Sequence, residues 1–149
     1  MMIKTHIAIS VFFILLFFSK VQHQIPFVLI TLFTAVLPDV DSKFSSLGKK
    51  KIFRILQFFV KHRGILHSFT FLIFVTLFFA LFFPIISLPF FLGYSSHLIA
   101  DSFTIEGIFP FYPLKKKSFG KIREGGKIET IVLILFVFVD VALFLIQSL

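Results

Sequence analysis

Cysteine and tryptophan are both absent from this chain of 149 residues. Without cysteine there can be no disulfide, thiolate metal site or cysteine nucleophile, so any metal ion must be held by nitrogen and oxygen ligands. Without tryptophan, only Tyr94 and Tyr112 can join an interfacial aromatic belt. Acidic residues are also scarce, with 7 Asp and Glu against 15 Lys and Arg. Each of these few carboxylates is therefore a candidate for a specific role.

Apolar residues dominate what is present. They make up 58% of the chain, and 26 of them are phenylalanine. Soluble domains usually contain about 45–50% apolar residues, and the mean hydropathy here is +1.03. This composition predicts an integral membrane protein. The length leaves room for a single domain, residues 1–149.

The apolar runs predict an all-α, polytopic membrane helix bundle of about five transmembrane helices. Residues 3–19 form the predicted first helix and residues 25–37 the second. The second covers only about 20 Å at 1.5 Å per residue, against roughly 30 Å of hydrocarbon core, so it should end inside the membrane or thin it. Residues 52–60 contain Arg54 and Gln57 among apolar residues, which is typical of an interfacial amphipathic helix.

The long apolar run at residues 69–92 allows either one span or two. Pro84 and Pro89 disrupt helical hydrogen bonding twice, which favours a tight hairpin between them. The helix after this hairpin should continue to about Thr104. Residues 128–149 then form the fifth helix, in which Asp140 is more readily a polar contact inside the bundle than a catalytic group.

The distribution of positive charge favours the hairpin. Two loops contain 13 of the 15 basic residues, namely Lys43, Lys49, Lys50, Lys51, Arg54, Lys61 and Arg63 in one, and Lys115, Lys116, Lys117, Lys121, Arg123 and Lys127 in the other. A hairpin puts both loops on the side of Lys4, as the positive-inside rule requires. We therefore expect a multi-pass protein of the cell (inner) membrane, with its N-terminus and basic loops in the cytoplasm.

Anionic lipid headgroups are the expected partners of these loops. Nucleic acid is not expected, because no aromatic residues interleave with the basic ones as base stacking requires. Oligomeric state is not indicated by any of these patterns.

Ionisable residues gather in three segments at the edges of apolar runs, at residues 38–41, 62–68 and 96–101. Such groups at membrane depth are costly and usually functional. In the five-helix topology these segments and the start of the first helix share the cytoplasmic face, so their side chains can converge. The candidate metal ligands are His6, Asp39, Asp41, His62, His67, His97 and Asp101.

The spacing within these segments bears on their chemistry. His97 and Asp101 are four residues apart on one helix, so both can bind one ion. His62 and His67 are five apart and would diverge on a continuous helix, whereas a turn at Arg63 and Gly64 would leave His67 beside Ser68, a natural helix cap. His23 falls on the opposite side of the membrane and is given no role.

Imidazole and carboxylate ligands suit a divalent ion, with zinc favoured and manganese or iron(II) possible. A bound ion with an open position lowers the pKa of water to about 7 and supplies a hydrolytic nucleophile. Whichever of Asp39 and Asp41 does not ligate can act as general base. Arg63 can bind a phosphate through paired hydrogen bonds, or it can be a topology charge beside lipid headgroups. The alternative for the whole group is a structural polar cluster that ties helix ends together.

These residues fall in motifs that cover nearly the whole chain. The motifs are Thr5-His6, Leu37-Pro38-Asp39-Val40-Asp41, His62-Arg63-Gly64-Ile65-Leu66-His67-Ser68, and Gly93-Tyr94-Ser95-Ser96-His97-Leu98-Ile99-Ala100-Asp101-Ser102-Phe103-Thr104 followed by Gly107 and Pro110. In this combination the chain resembles the YdjM-like family of predicted membrane-bound metal-dependent hydrolases. That family is in turn distantly similar to zinc-dependent phospholipase C and the P1-type nucleases.

The resemblance implies a ligand set. One zinc ion would be held by Asp39 or Asp41 with His67, His97 and Asp101, and a second would share Asp101 and take His6. The ligands of the third ion of those enzymes are missing, since no histidine follows His97 and Met1 replaces their N-terminal tryptophan. One or two ions are therefore expected.

The sequence thus predicts a membrane-embedded metal-dependent hydrolase that acts from the cytoplasmic side on a phosphoester or ester of a lipid or membrane-associated small molecule. The alternative is a non-catalytic membrane protein, either a metal-ion carrier or a structural partner. A carrier needs polar groups throughout the bilayer depth, whereas here they collect at one face.

Overall fold

A computed structural model describes residues 1–41 and 64–148 of the chain. In these two ranges the fold is all-helical and contains five α-helices: α1 (Ile3–Phe18), α2 (Gln24–Val36), α3 (Phe69–Phe82), α4 (Pro84–Ser102) and α5 (Lys127–Ser148). Short 3-10 helices cover Leu37–Asp41 and Ile65–His67. The all-α prediction is confirmed for this part of the chain, and the amphipathic helix predicted at residues 52–60 lies outside it.

The break between α3 and α4 is narrower than the predicted turn from Pro84 to Pro89. It is confined to Phe83, whose φ of −141° and ψ of 65° are not helical. A residue that precedes proline is pushed away from the helical region, and Pro84 then suits the first position of α4. Pro89 lies inside α4, where its missing N–H removes a single intrahelical hydrogen bond.

Helices α3 and α4 fold back on each other as an antiparallel pair. The rings of Phe79 and Phe90 lie 5.1 Å apart near the turn, and those of Phe71 and Tyr94 lie 5.8 Å apart further from it. The Tyr94 hydroxyl donates a hydrogen bond of 2.6 Å to the carbonyl of Leu66. This bond fixes the segment before α3 against the last half of α4.

Helices α2 and α4 approach each other closely at small residues. A Cβ atom at Gly93 would overlap the Thr34 hydroxyl and the Thr31 carbonyl. The hydroxyls of Thr31 and Thr34 donate to carbonyls of their own helix, at 2.7 and 2.8 Å, so they leave no unpaired donor at the contact. Small residues with internally satisfied hydroxyls are typical of tightly packed membrane helices.

The start of α5 is fixed to the start of α1 by Glu129. This carboxylate is fully buried and accepts three hydrogen bonds, from the Met2 N–H (2.6 Å), the Thr5 hydroxyl (2.9 Å) and the Gly125 N–H (2.7 Å). Glu129 therefore supplies the acceptor that the first turn of α1 lacks in its own sequence.

One helix of the described ranges, α5, is by itself long and apolar enough to cross a bilayer, with a mean hydropathy of 2.7 over its best window. Three other apolar helices are shorter than 18 residues. Of the predicted five spans, this criterion therefore supports only the last.

The contact at Gly93 gives a stability test. Alanine favours a helix over glycine by about 1 kcal/mol, so Gly93→Ala would stabilise an unconstrained helix. Here we expect the added Cβ to force α2 and α4 apart and to cost about 1–3 kcal/mol, measured by thermal unfolding in detergent. Phe91→Ala, at a site 40% exposed on the same helix, is the control and should change stability less. A more stable Gly93→Ala protein would contradict the close approach.

Candidate metal centre

Three histidines and two aspartates from four elements meet at one end of the bundle. His6 lies in the first turn of α1, Asp39 in the 3-10 helix after α2, and His67 in the 3-10 helix before α3. His97 and Asp101 lie in the last turns of α4. The three imidazoles are fully buried, Asp101 is 1% exposed and Asp39 is 15% exposed.

The structure thus brings together His6, Asp39, His67, His97 and Asp101, which are five of the seven ligands predicted from the sequence. His62 and Arg63 lie outside the described residues, as does the side chain of Asp41. His23 is exposed at the start of α2, away from this group. Asp140 is buried in α5 and belongs to neither candidate metal group. Among the described residues its Oδ1 has no hydrogen-bond partner, so the predicted polar contact is not seen at that atom.

The carboxylate of Asp101 occupies the centre of the group. Its Oδ1 lies 3.4 Å from His6 Nε2 and its Oδ2 lies 3.7 Å from His97 Nε2 and 3.9 Å from His67 Nε2. One oxygen thus faces His6 and the other faces the remaining two imidazoles. The carboxylate thus contacts all three imidazoles.

A backbone contact orients the His97 ring for ligation. Its Nδ1 lies 2.8 Å from the carbonyl of Ala35, and because a carbonyl can only accept, Nδ1 must carry the proton. Nε2 then keeps its lone pair, 3.8 Å from Asp39 Oδ1 and 3.7 Å from Asp101 Oδ2. Metal-binding histidines are commonly held in this way by a carbonyl on the opposite ring nitrogen.

Several imidazole nitrogens are buried without a hydrogen bond. Among the residues that the structure describes, His6 Nδ1, His6 Nε2 and His97 Nε2 have no hydrogen-bond partner. Buried polar atoms are nearly always satisfied, so each exception needs an explanation. A divalent cation among these nitrogens and carboxylates would satisfy the lone pairs, and so the residues present fit a metal ion.

The distances between the candidate ligand atoms also fit a zinc ion. Ligands at about 2.0–2.1 Å from a tetrahedral zinc ion lie about 3.3–3.4 Å from each other. Four imidazole–carboxylate pairs here are 3.4–3.9 Å apart, and all ligand atoms of each candidate trio lie within 4.8 Å of one another. Two trios qualify, His6 with Asp39 and His97, and His67 with His97 and Asp101. Because His97 can offer only Nε2, it can serve one trio at a time.

Burial also affects Asp39, which lies beyond the end of α2. Loss of hydration raises the pKa of its carboxyl above the ordinary value, since burial penalises the charged form more than the nearby His6 and His67 rings favour it.

Sequence reasoning missed two groups that hold this site together. The α-amino group of Met1 donates to Asp101 Oδ1 at 2.6 Å, and no residue pattern indicates such a main-chain contact. Glu129 is the second, since it fixes the turn of α1 that carries His6. It is an ionisable residue at the edge of an apolar run, so the signal that identified the other segments was present there too.

The site predicts the metal content of variants. Purified protein should contain a divalent ion, and His97→Ala or Asp101→Ala should lose it, because each removes a ligand atom that the rest of the group cannot replace. Both should also unfold at lower temperature than the metal-loaded parent, since bound metal adds its binding free energy to the folded state. His23→Ala should keep the metal. Elemental analysis measures the metal content of each purified variant. An unchanged metal content in both His97→Ala and Asp101→Ala would refute the site.

Comparison with known families gives one result that covers the chain. A family model described as YdjM inner membrane protein matches residues 1–147. Neither the curated proteins nor the solved structures provide a match. The motifs quoted from the sequence all lie within the matched residues. This chain therefore belongs to the YdjM inner membrane protein family and is a membrane protein.

Proposed function

We propose that this protein is a multi-pass, metal-dependent hydrolase whose centre is the His/Asp group at the cytoplasmic end of the bundle. The observation that carries the proposal is the set of buried imidazole nitrogens without hydrogen bonds, gathered around two carboxylates. Zinc is the ion that nitrogen and oxygen donors at these distances suit best, and manganese or iron(II) accepts the same donors.

The exposure pattern supports a lipid environment around the helices. In α5 the buried residues are the acids Glu129 and Asp140, whereas Ile134 is 63% and Phe138 72% exposed. A soluble amphipathic helix shows the reverse arrangement. Helix α3 has a single buried residue, Leu72, and otherwise presents apolar side chains outward. Lipid tails are the surroundings that such surfaces require.

The direction of the helices supports several crossings. The starts of α1, α3 and α5 and the ends of α2 and α4 all meet at the metal centre, as the contacts of His6, His67, Glu129, Asp39 and Asp101 require. The helices therefore alternate in direction. Helices α1 to α3 have 13 to 16 residues and reach only about 20–24 Å, so the bilayer must thin or the bundle must recess around them.

Within this centre the chain's residues take distinct roles. The trio His67, His97 and Asp101 would hold the ion, and the Ala35 carbonyl keeps His97 in the ligating tautomer. A bound ion would supply a water of lowered pKa and a Lewis acid for an ester or phosphoryl oxygen. Asp39, the most exposed member of the group, accepts the proton of the attacking water.

Other predicted residues complete the proposal. His6 faces the other oxygen of Asp101, where a second ion would sit. Asp41 is the alternative general base, and His62 is a further candidate ligand. Arg63 binds the phosphate of the substrate, a lipid phosphoester or another membrane-associated ester, while the basic loops hold anionic headgroups near the centre.

A non-catalytic metal-binding protein is the second candidate. It is favoured by the complete burial of His6, His67 and His97, since an enclosed ion can be a structural one. Under this alternative the ion ties the helix ends together and no substrate is turned over. Partly exposed Asp39 favours the hydrolase, because it lies where water can reach the group.

Topology can be tested with reporter fusions. Reporters after Lys51 and after Lys121 should both read cytoplasmic, because both loops carry the basic residues that the positive-inside rule retains there. Reporters at Ser87 and at the C-terminus should read external. If the Lys51 and Lys121 positions lay on opposite sides, the five-span topology would be wrong.

Catalysis can be separated from binding at Asp39. On metal-loaded protein in bilayers, Asp39→Asn should retain the ion and lower turnover of lipid phosphoesters by about 100-fold or more, since general-base assistance supplies about 10²–10⁴. Asp41→Asn is the comparison that tells which of the two carboxylates acts as base. No turnover of a broad panel of lipid esters by the parent protein would leave the structural-ion alternative.

A further inference from the structure

An apolar cavity of about 270 Å³ lies between α1, α4 and α5. Its walls include Ile9, Phe13, Ile99, Val132 and Phe136. Ser96 also lines it, but its hydroxyl donates to the Gly93 carbonyl at 2.7 Å and lies 3.1 Å from the hydroxyl of Ser10. The cavity therefore offers a ligand apolar contact, and its volume is close to the roughly 300 Å³ at which small-molecule sites begin.

The cavity runs beside the metal centre. Along α4 and the residue that follows it, the lining extends from Ser96 to Phe103, about 10 Å along the axis, and this stretch contains His97 and Asp101. Met1 forms part of its wall, and the Met1 amine contacts Asp101. A molecule in the cavity would thus contact Ser96 and Ala100, the residues that precede His97 and Asp101 in the chain.

A second, charged pocket adjoins the cavity at the polar end of the bundle. It measures about 360 Å³ and is lined by Glu106, Arg123 and Glu124 among others. Met1 and Ile122 line both spaces. The two pockets therefore meet at Met1, the apolar one extending along the helices and the charged one lying among the connecting residues.

We propose that these two pockets together bind a lipid with one alkyl chain in the apolar cavity and a head that carries both phosphate and ammonium in the charged pocket. The alkyl chain matches the apolar walls. The guanidinium of Arg123 suits a phosphate, because it can donate two parallel hydrogen bonds. The carboxylate of Glu124 suits an ammonium group and would disfavour a head with phosphate alone.

The inference rests on the proposed function in one respect: it names the lipid class whose ester bond would lie at Met1, next to Asp101. It gives the phosphate to Arg123 in place of Arg63, the cation used in the proposed function. Binding itself requires neither the ion nor turnover. It can therefore be measured on protein from which metal has been removed with a chelator, and hydrolysis can be assayed separately on metal-loaded protein.

The probe is a single-chain phosphoethanolamine lipid with a photoreactive diazirine at the end of its chain, mixed into bilayers that contain the metal-free protein. Crosslinks should fall on cavity residues such as Phe13 and Phe136 and should be competed by the unlabelled lipid. Val132→Trp fills the cavity and should reduce these crosslinks at least about tenfold, as expected when a bound ligand loses its pocket. The matched control, Ile131→Trp, adds the same bulk at a neighbouring site that is 65% exposed and should leave them unchanged.

The charged pocket is tested with the same chain on two other heads, a phosphate alone and a trimethylammonium alone. Both should label the cavity less than the phosphoethanolamine probe. Arg123→Gln should remove the advantage of phosphoethanolamine over trimethylammonium. Phe136→Ala enlarges the cavity and should keep specific labelling, which guards against a Val132→Trp protein that fails to fold.

Two outcomes would overturn the inference. One is labelling confined to outward residues such as Phe138, without competition, which would show only general contact with the bilayer. The other is cavity labelling that Val132→Trp and Ile131→Trp affect alike. Specific cavity labelling without turnover would instead uphold the lipid site and count against the hydrolase alone.

Discussion

The carboxylate of Asp101 is the point on which the arrangement of this protein depends. It lies 99% buried and touches the Met1 amine, His6, His67 and His97. A buried carboxylate is costly unless it is paired. Its partners come from α1, from the segment before α3 and from α4 itself. Met1, His6 and His67 are far from Asp101 in the chain. They can reach its carboxylate only if the helices alternate in direction, so that the starts of α1 and α3 lie beside the end of α4.

Packing between helices fixes the positions of the side chains in the candidate metal centre. The close contact of α2 and α4 at Gly93 puts the Ala35 carbonyl within hydrogen-bond distance of His97. Glu129 holds the first turn of α1, which carries His6. Neither contact touches a candidate ion. The first orients the His97 imidazole and the second positions the helical turn that carries His6, as outer contacts do in metal sites generally.

The candidate metal centre and the two pockets beside it are the basis for proposing lipid chemistry at the membrane surface. The family places the chain in the inner membrane, and the apolar outer faces of α3 and α5 agree with lipid surroundings. A substrate that is itself part of the bilayer needs no path through water to such a site. The polar end of the bundle would meet the head, and the apolar cavity would take the chain.

The sequence by itself determined the helical class, most helix limits and the identity of the residues that meet at the centre. These follow from local physics: long apolar runs require helices, prolines end them, and ionisable groups next to lipid are costly enough to mark a site. The predicted residues 3–19 differ by one residue at the end from α1 (Ile3–Phe18), and the predicted residues 25–37 differ by one residue at both ends from α2 (Gln24–Val36). Ser68 caps α3 as its position suggested, accepting from the Phe71 N–H.

Only the tertiary structure decided which atoms face each other. The sequence could not tell that Pro89 would continue a helix, that His97 would present Nε2 because Ala35 takes Nδ1, or that Asp101 would divide its two oxygens between His6 and the other imidazoles. It also gave no sign of the cavity beside the centre. Each of these depends on how closely two helices approach and how they are rotated about their axes. Those quantities are set by the packing of residues distant in the chain, such as Gly93 against Thr34, and no local pattern encodes them.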